Sequence, residues 1–174
     1  NGQLTLRAGL NPAPCFLNSR FDFAGTWQNF VLEVDIQSLD ITVDEKPGIL
    51  YRTTGWQSTN DNAFGYMVQM TSSNLQLLRG TNVSSGGGAA TLVQASSAIT
   101  FTSNTYYHMM IVVSGNTHQV YLNNILYINV TDATWTGAGY VGCRLYNNTI
   151  PRVTAFFDNF GIMSSAFVGT RQHA

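Results

Sequence analysis

The stretch Tyr106–Asn124, YYHMMIVVSGNTHQVYLNN, limits what this chain can become more than any other. A period of two puts Tyr107, Met109, Ile111 and Val113 on one side of a strand. In a second strand Val120 and Leu122 share a face, and Gln119 and Tyr121 take the other. Between the two, Ser114-Gly115-Asn116-Thr117 reads as a hairpin turn, because Gly and Asn tolerate the positive φ of a tight primed turn. Asn123-Asn124 is a second turn and Ile125–Val130 a third strand. Such a meander has one apolar face. An isolated strand pair is marginal in water, so a second sheet must cover it.

The rest of the chain repeats that pattern. Phe30–Leu39, Gly48–Thr54, Phe64–Thr71, Leu75–Arg79, Gly139–Tyr146 and Val153–Met163 read as strands, with shorter ones in Asn1–Arg7 and Cys15–Ser19. Thr91–Phe101 is expected to hold two short strands. Turn signals recur every ~8–12 residues, and no segment sustains a 3.6 period. The chain therefore reads as all-β, a two-sheet antiparallel β-sandwich. Its 174 residues suffice for one core. Residues 1–163 are expected to form that single domain, and residues 164–174 a partly disordered C-terminal tail.

Composition narrows the function classes. The chain is 44% hydrophobic and only 10% charged, against ~25% charged for an ordinary domain. Asn, Ser, Thr, Gln and Gly must then supply the polar surface, which suits an extracellular, secreted or virion-surface protein. Lys46 is the sole lysine, so no basic footprint for nucleic acid is present. No apolar run approaches ~20 residues, so no membrane-spanning helix is expected. The sequence starts at Asn1 and reads as a mature or excised piece. Cys15 and Cys143 either bridge an early strand to a late one or remain buried thiols. Three sequons, beginning at Asn82, Asn129 and Asn147, are glycosylation acceptors or the chance product of a chain rich in Asn, Ser and Thr.

An ordered series of short phrases resembles a known family. The segments are Gly48-Ile49-Leu50-Tyr51-Arg52, the Tyr107–Asn124 hairpin, Gly139–Arg144 and the closing Phe157-Asp158-Asn159-Phe160. In order and spacing they resemble concanavalin-like, laminin-G-type jelly rolls. That resemblance implies a jelly-roll sandwich. It leaves function among lectins, carbohydrate-binding modules, lyases, hydrolases and protein-adhesion modules. It also implies a structural Ca²⁺ with an Asp in the closing strand, here Asp158, to which Asp22 or Glu33 could add oxygens. The alternative for Asp158 is a carboxylate bonded to a turn.

Catalysis on this fold needs carboxylates aligned along one strand. Glu33-Val34-Asp35 begins such a pattern, but Gln37 and Ser38 stand where the second Glu belongs. The lyase cluster of Tyr, His, Arg and Gln is likewise not recognisable around Tyr106-Tyr107-His108. The sequence is therefore read as non-catalytic.

A sugar-binding face needs aromatic rings for C–H groups, and amides or guanidinium groups for hydroxyls. If Ile49, Tyr51 and Thr53 point inward, Arg52 points outward. By the same logic Gln69 faces out opposite Val68 and Met70, and Arg144 and Tyr146 face out opposite Val141, Cys143 and Leu145. Arg52, Gln69, Arg144 and Tyr146 are thus expected on one sheet face, with Trp56 on a bordering loop and Arg79 and Asn147 near strand ends. Each arginine could equally be a surface ion-pair partner. The leading expectation is a carbohydrate-binding module within a larger secreted or phage-tail adhesion protein. Its partner would be a polysaccharide or cell-surface glycan. The alternatives are a glycan-cleaving hydrolase or lyase, or a laminin-G-type protein-adhesion module.

Overall fold

The structure, a computed structural model, describes residues 3–8, 15–20, 26–41, 46–54, 64–80, 90–147 and 153–165. Among these described residues twelve strands run in chain order: β1 Leu4–Ala8, β2 Cys15–Arg20, β3 Phe30–Ser38, β4 Lys46–Thr54, β5 Phe64–Met70, β6 Leu75–Gly80, β7 Ala90–Ala95, β8 Tyr106–Ser114, β9 Thr117–Leu122, β10 Ile125–Thr131, β11 Tyr140–Asn147 and β12 Val153–Ser164. They form two six-stranded antiparallel sheets. The first has the order β1-β12-β3-β8-β9-β10 and the second β2-β11-β4-β5-β6-β7. The late strand β12 lies between β1 and β3, and β11 lies between β2 and β4. Early and late parts of the chain thus share both sheets, as a jelly roll requires.

Hydrophobic periodicity explains the layering. Val34, Ile36, Met109, Ile111 and Val120 of the first sheet are fully buried, as are Ile49, Val68, Leu77, Val141 and Leu145 of the second. They meet in one core between the sheets. A second, smaller cluster, Leu50, Met67 and Leu78, lies on the other side of the second sheet. Leu50 and Met67 alternate with core residues, so the outward face of this sheet is itself partly apolar and covered.

The β8–β9–β10 meander forms as the sequence predicts, with Ser114 opposite Thr117 and Leu122 opposite Ile125. Gly115 has φ +57° at the first turn, and Asn123 and Asn124 have φ +49° and +66° at the second. A Cβ on Gly115 would meet no atom within 4 Å. Gly115→Ala should therefore cost only the left-handed backbone strain, about 1 kcal/mol, measurable as a small shift in a urea midpoint with an unchanged slope.

One expectation is corrected, and one open alternative is decided for Cys143. Thr91–Phe101 contributes one strand and not two, since Thr91–Ala95 is most of β7. Beyond Ala95 the chain leaves the ladder: Ser96 N–H donates to Leu75 O at 2.9 Å and Ile99 N–H to Ser73 O at 2.8 Å, which ties it to the β5–β6 hairpin. Cys143 is a buried free thiol. The register explains why: Cys15 is opposite Asn147 while Cys143 is opposite Ser19. Four residues along neighbouring strands separate them by about 13 Å, beyond the ~7 Å limit between bridged Cα atoms. Burial also pushes the Cys143 thiol pKa well up.

Candidate functional site

The polar part of the second sheet begins with one empty position. In the register Arg144 pairs with Gly48 and Gly48 with Gln69. A Cβ at Gly48 would lie 2.6 Å from Val68 O, so no larger residue fits. The gap lets the long Arg144 side chain pass over β4, and its Nη1 donates to Gln69 Oε1 at 3.0 Å. Gln69 Nε2 then donates to Gln76 Oε1 at 2.8 Å. The turn after β5 fixes that pairing: Thr71 N–H donates to Asn74 O at 2.9 Å, and Thr71 Oγ1 accepts Asn74 N–H at 3.1 Å. With Met70 opposite Leu75, Gln69 falls opposite Gln76.

The direction of this row follows from its first member. A guanidinium only donates, so Gln69 must turn its oxygen to Arg144 and its amide nitrogen to β6. Gln76 must then accept with Oε1, which leaves its Nε2 at the far end. Arg144 is fully buried and Gln69 nearly so, whereas Gln76 is half-buried. Among the described residues, nothing accepts from Gln76 Nε2. The row thus carries donor character from a buried cation across β11, β4 and β5 to a solvent-reaching amide on β6.

Aromatic and apolar groups flank the row. Tyr146 is half-buried, with Arg144 Cζ and Lys46 Nζ each 5.1 Å from its ring centroid. Lys46 is its cross-strand partner. Beside Gln76, the pair Leu78 and Leu92 continues the apolar cluster of this face toward β7, where Leu92 is 51% exposed.

The predicted residues separate into three groups. Gln69, Arg144 and Tyr146 share the outward face of the second sheet, on the side opposite Val141 and Cys143. Arg52 does not join them. Its φ of +48° turns it out of the alternation, at an irregularity in the β4–β5 pairing. Its side chain is buried at one end of the sandwich and donates to Gln28 O, Gly115 O and Trp135 O at 2.5, 2.7 and 3.1 Å. Arg79 pairs across the ladder with the core residue Tyr66 and so lies on the inner side, where it bonds Asp132 and, at 2.7 Å, Thr134 Oγ1. Trp56 lies outside the described residues. Asn147 ends β11 opposite Cys15, and its side chain is outside the described set.

A polar cluster that the sequence reading missed closes the inner side. His118 Nε2 lies 3.2 Å from the Asp132 carbonyl, which can only accept, so this nitrogen carries the proton. His118 Nδ1 is then the acceptor and takes the Tyr51 O–H at 3.0 Å. Tyr66 O–H donates to Asp132 Oδ1 at 2.7 Å and itself accepts Trp135 N–H at 3.1 Å. Burial lowers the His118 pKa and raises that of Tyr66 to about 12. Burial also pushes the Asp132 carboxyl up, but bonds from Tyr66 and Thr134 and the Arg79 charge outweigh it and leave the value lowered. These groups hold core and loop together.

Asp35 and His108 face outward on the first sheet. Asp35 Oδ1 takes the His108 Nδ1–H at 2.7 Å and Oδ2 takes Asn159 Nδ2–H at 2.7 Å. Burial raises the Asp35 pKa, yet these bonds and the His108 charge hold it below the ordinary value. Asp158 Oδ1 accepts the Asn159 N–H at 2.8 Å. Among the described residues no three His, Cys, Asp or Glu side chains converge to hold a metal ion. In the β3–β12 register Asp35 lies opposite Asp158 and Glu33 opposite Gly161, and Asp22 is outside the described residues. Gln37 Nε2 donates to Asn104 O at 2.7 Å, and Ser38 is buried, so β3 carries no further carboxylate.

The model of the 3-keto-alpha-glucoside-1,2-lyase-like domain family matches residues 20–162. The chain belongs to that family. Among curated proteins, none matches it in sequence. Solved structures with the same fold include the carbohydrate binding module CBM66 from Bacillus subtilis, 19% identical, with a TM-score of 0.66 over 94% of this chain and 96% of that one. A Bacillus licheniformis beta-glucanase is 13% identical, with a TM-score of 0.61 over 94% and 79%. A family 7 alginate lyase, A1-II′, is 16% identical, with a TM-score of 0.61 over 94% and 80%. At these identities the likeness is one of fold. This 3-keto-alpha-glucoside-1,2-lyase-like domain is thus a concanavalin-like jelly roll, a fold shared by sugar-binding modules and sugar-cleaving enzymes.

Within the 3-keto-alpha-glucoside-1,2-lyase-like domain, Gln76 is the member of this polar row that sequence reasoning passed over. A signal was present. Counting outward from the Ser72-Ser73-Asn74 turn, Met70 meets Leu75 and Gln69 meets Gln76.

Proposed function

We propose that this domain binds a polysaccharide or cell-surface glycan through the outward face of its second sheet, without cleaving it. The observation that carries the reading is the directed row Arg144–Gln69–Gln76, which ends in an amide whose N–H groups meet no acceptor among the described residues. Buried amides and guanidinium groups are costly unless satisfied. A row that passes its bonds from Arg144 through Gln69 to Gln76 and presents donors at its outer end is arranged for a ligand rich in oxygen acceptors. Leu92 and Tyr146 supply apolar and ring surface for sugar C–H groups. The low charge and amide-rich surface fit a binding module of a larger secreted or virion-surface protein.

Cleavage is the competing reading, and the family's name and the lyase and glucanase folds favour it. Its best local support is the Asp35–His108 pair, whose carboxylate orients the ring as a general base requires. That pair lies on the first sheet, away from the row. Glu33 shares β3 with Asp35, but Gln37 and Ser38 stand where the second Glu of the catalytic pattern belongs. Incubation with a panel of polysaccharides should therefore release neither reducing ends nor unsaturated sugars above background. Product release that Glu33→Gln or His108→Ala abolishes would establish the enzyme instead.

A further inference from the structure

The open end of the row has its own surroundings. Gln76 pairs across the ladder with Ala95, and Leu78, two residues further along β6, pairs with Leu92. Cross-strand partners share a face, so the Gln76 amide stands beside an alanine methyl, with Leu78 and Leu92 next along the two strands. Leu78 is nearly buried and Leu92 is 51% exposed, which makes an aliphatic step beside the small Ala95. The strands offer no ring at this place. β5, β6 and β7 hold two aromatic residues, Phe64 and Tyr66. Tyr66 is in the core between the sheets, and Phe64, two residues before it, lies on the same side. Tyr146 stands three strands away on β11, about 14 Å at the spacing of a sheet, so one sugar unit cannot touch both it and Gln76.

We infer that the glycan bound here carries an acetamido group and that this group sits at Gln76. Its carbonyl oxygen accepts from Gln76 Nε2, and its methyl lies against Ala95 and Leu92. The inference rests on the glycan-binding reading above and narrows it to N-acetylated sugars. Two observations select the group together. One is direction: Arg144 donates to Gln69 and Gln69 to Gln76, so Gln76 meets a ligand with its N–H groups. The other is the aliphatic setting. A pyranose face packs best on an aromatic ring, and the sugar at Gln76 finds none on these strands. A bare hydroxyl there would accept from Gln76 but bring no apolar atoms to the step, and it would give up water beside Leu92 without return. An acetamido group carries an oxygen that only accepts and a methyl on the same carbon. It fills the donor and the aliphatic step at once. The group is neutral, so its binding does not depend on the charge of the face.

Titration calorimetry on the whole chain tests this with tetra-N-acetylchitotetraose and cellotetraose. The two sugars share backbone and linkage and differ only in bearing an acetamido group or a hydroxyl on the second ring carbon. The parent should bind the acetylated sugar about tenfold or more tightly, the combined effect of one hydrogen bond and one buried methyl. That ratio should hold as salt is raised, since no charge is involved. In Gln76→Glu one carboxylate oxygen still accepts from Gln69 Nε2, so the melting temperature should hold, but the donor is gone. A hydroxyl can turn and donate to the new carboxylate, whereas the acetamido oxygen cannot. The ratio should therefore fall toward one or reverse. Leu92→Ser, at an exposed position, should fold normally and lower the ratio by removing the aliphatic step. A parent ratio near one, or a ratio that Gln76→Glu does not move, would overturn the acetamido assignment and leave glycan binding standing. A glycan array of matched pairs, with and without the acetamido group, keeps the two readings apart. Ligands found only among members lacking the group would overturn this inference alone. If the array finds no ligand of any kind, the glycan-binding reading falls, and this inference with it.

Discussion

Asp132→Ala should lower folding stability by about 3 kcal/mol, a drop of roughly 6–12 °C in melting temperature for a chain of this size. Asp132 is nearly buried, and its carboxylate accepts from Tyr66 O–H, Thr134 N–H and Arg79. Removing it leaves the Tyr66 hydroxyl only the longer bond to the backbone carbonyl of residue 132 at 3.2 Å and deprives Arg79 of its carboxylate partner. Arg79 is 36% exposed and can turn to water, so most of the loss comes from the buried tyrosine and the unanchored loop. Asp132→Asn keeps an acceptor for Tyr66 and should recover about half. Equal losses in the two variants would mean that packing, not hydrogen bonding, sets the cost.

The same cluster sets a pH dependence. Burial lowers the His118 pKa from its ordinary 6.5, so the folded chain takes up its proton later than the unfolded chain. The stability contribution is complete above pH 6.5 and is lost as pH falls from there toward the lowered folded value. The slope approaches about 1.4 kcal/mol per pH unit. Asp132, whose folded value is also lowered, contributes above the ordinary carboxylate range and is lost at lower pH. Melting curves between pH 7 and pH 5 should therefore slope downward in the parent and much less in His118→Gln. A parent curve flat over that window would contradict the neutral, Nε2-protonated state assigned to His118.

Arg144→Ala should lose both stability, by about 3 kcal/mol, and about tenfold or more of glycan affinity. The side chain is fully buried and fills space on the outward face, so the alanine leaves a cavity and a Gln69 oxygen without this donor. Outward direction alone would have suggested a substitution with little effect on folding. Arg144→Met separates the two losses. It fills most of the volume and should restore part of the melting temperature. It donates nothing, so Gln69 and Gln76 are free to reverse, and the face no longer presents a fixed donor. Affinity should stay low in Arg144→Met, and a variant that binds like the parent would show that the row's direction is irrelevant.

These residues mark how far alternation can be read from the sequence. It placed Val141 and Cys143 in the core and Arg144 and Tyr146 opposite them, because a period of two assigns each residue to a side. It could not say what covers a side, so the burial of Arg144 and of Leu50, Met67 and Gln69 was not legible. Arg52 escaped because alternation assumes extended backbone, and its φ of +48° is set by tertiary contacts with three separate loops. The Tyr51–His118–Asp132–Tyr66 cluster joins residues as many as 67 positions apart. No local pattern announces such a meeting. Gln76 differs from these, since the hairpin register that pairs it with Gln69 is a local count from a recognisable turn.

The most direct test of the account is a crystal structure with an oligosaccharide chosen from a glycan array. The sugar should lie on the outward face of the second sheet, with one of its oxygens within hydrogen-bond distance of Gln76 Nε2 and a ring against Leu92 or Tyr146. A sugar seated instead on the first sheet against His108 and Asp35, with Gln76 Nε2 untouched, would contradict the account.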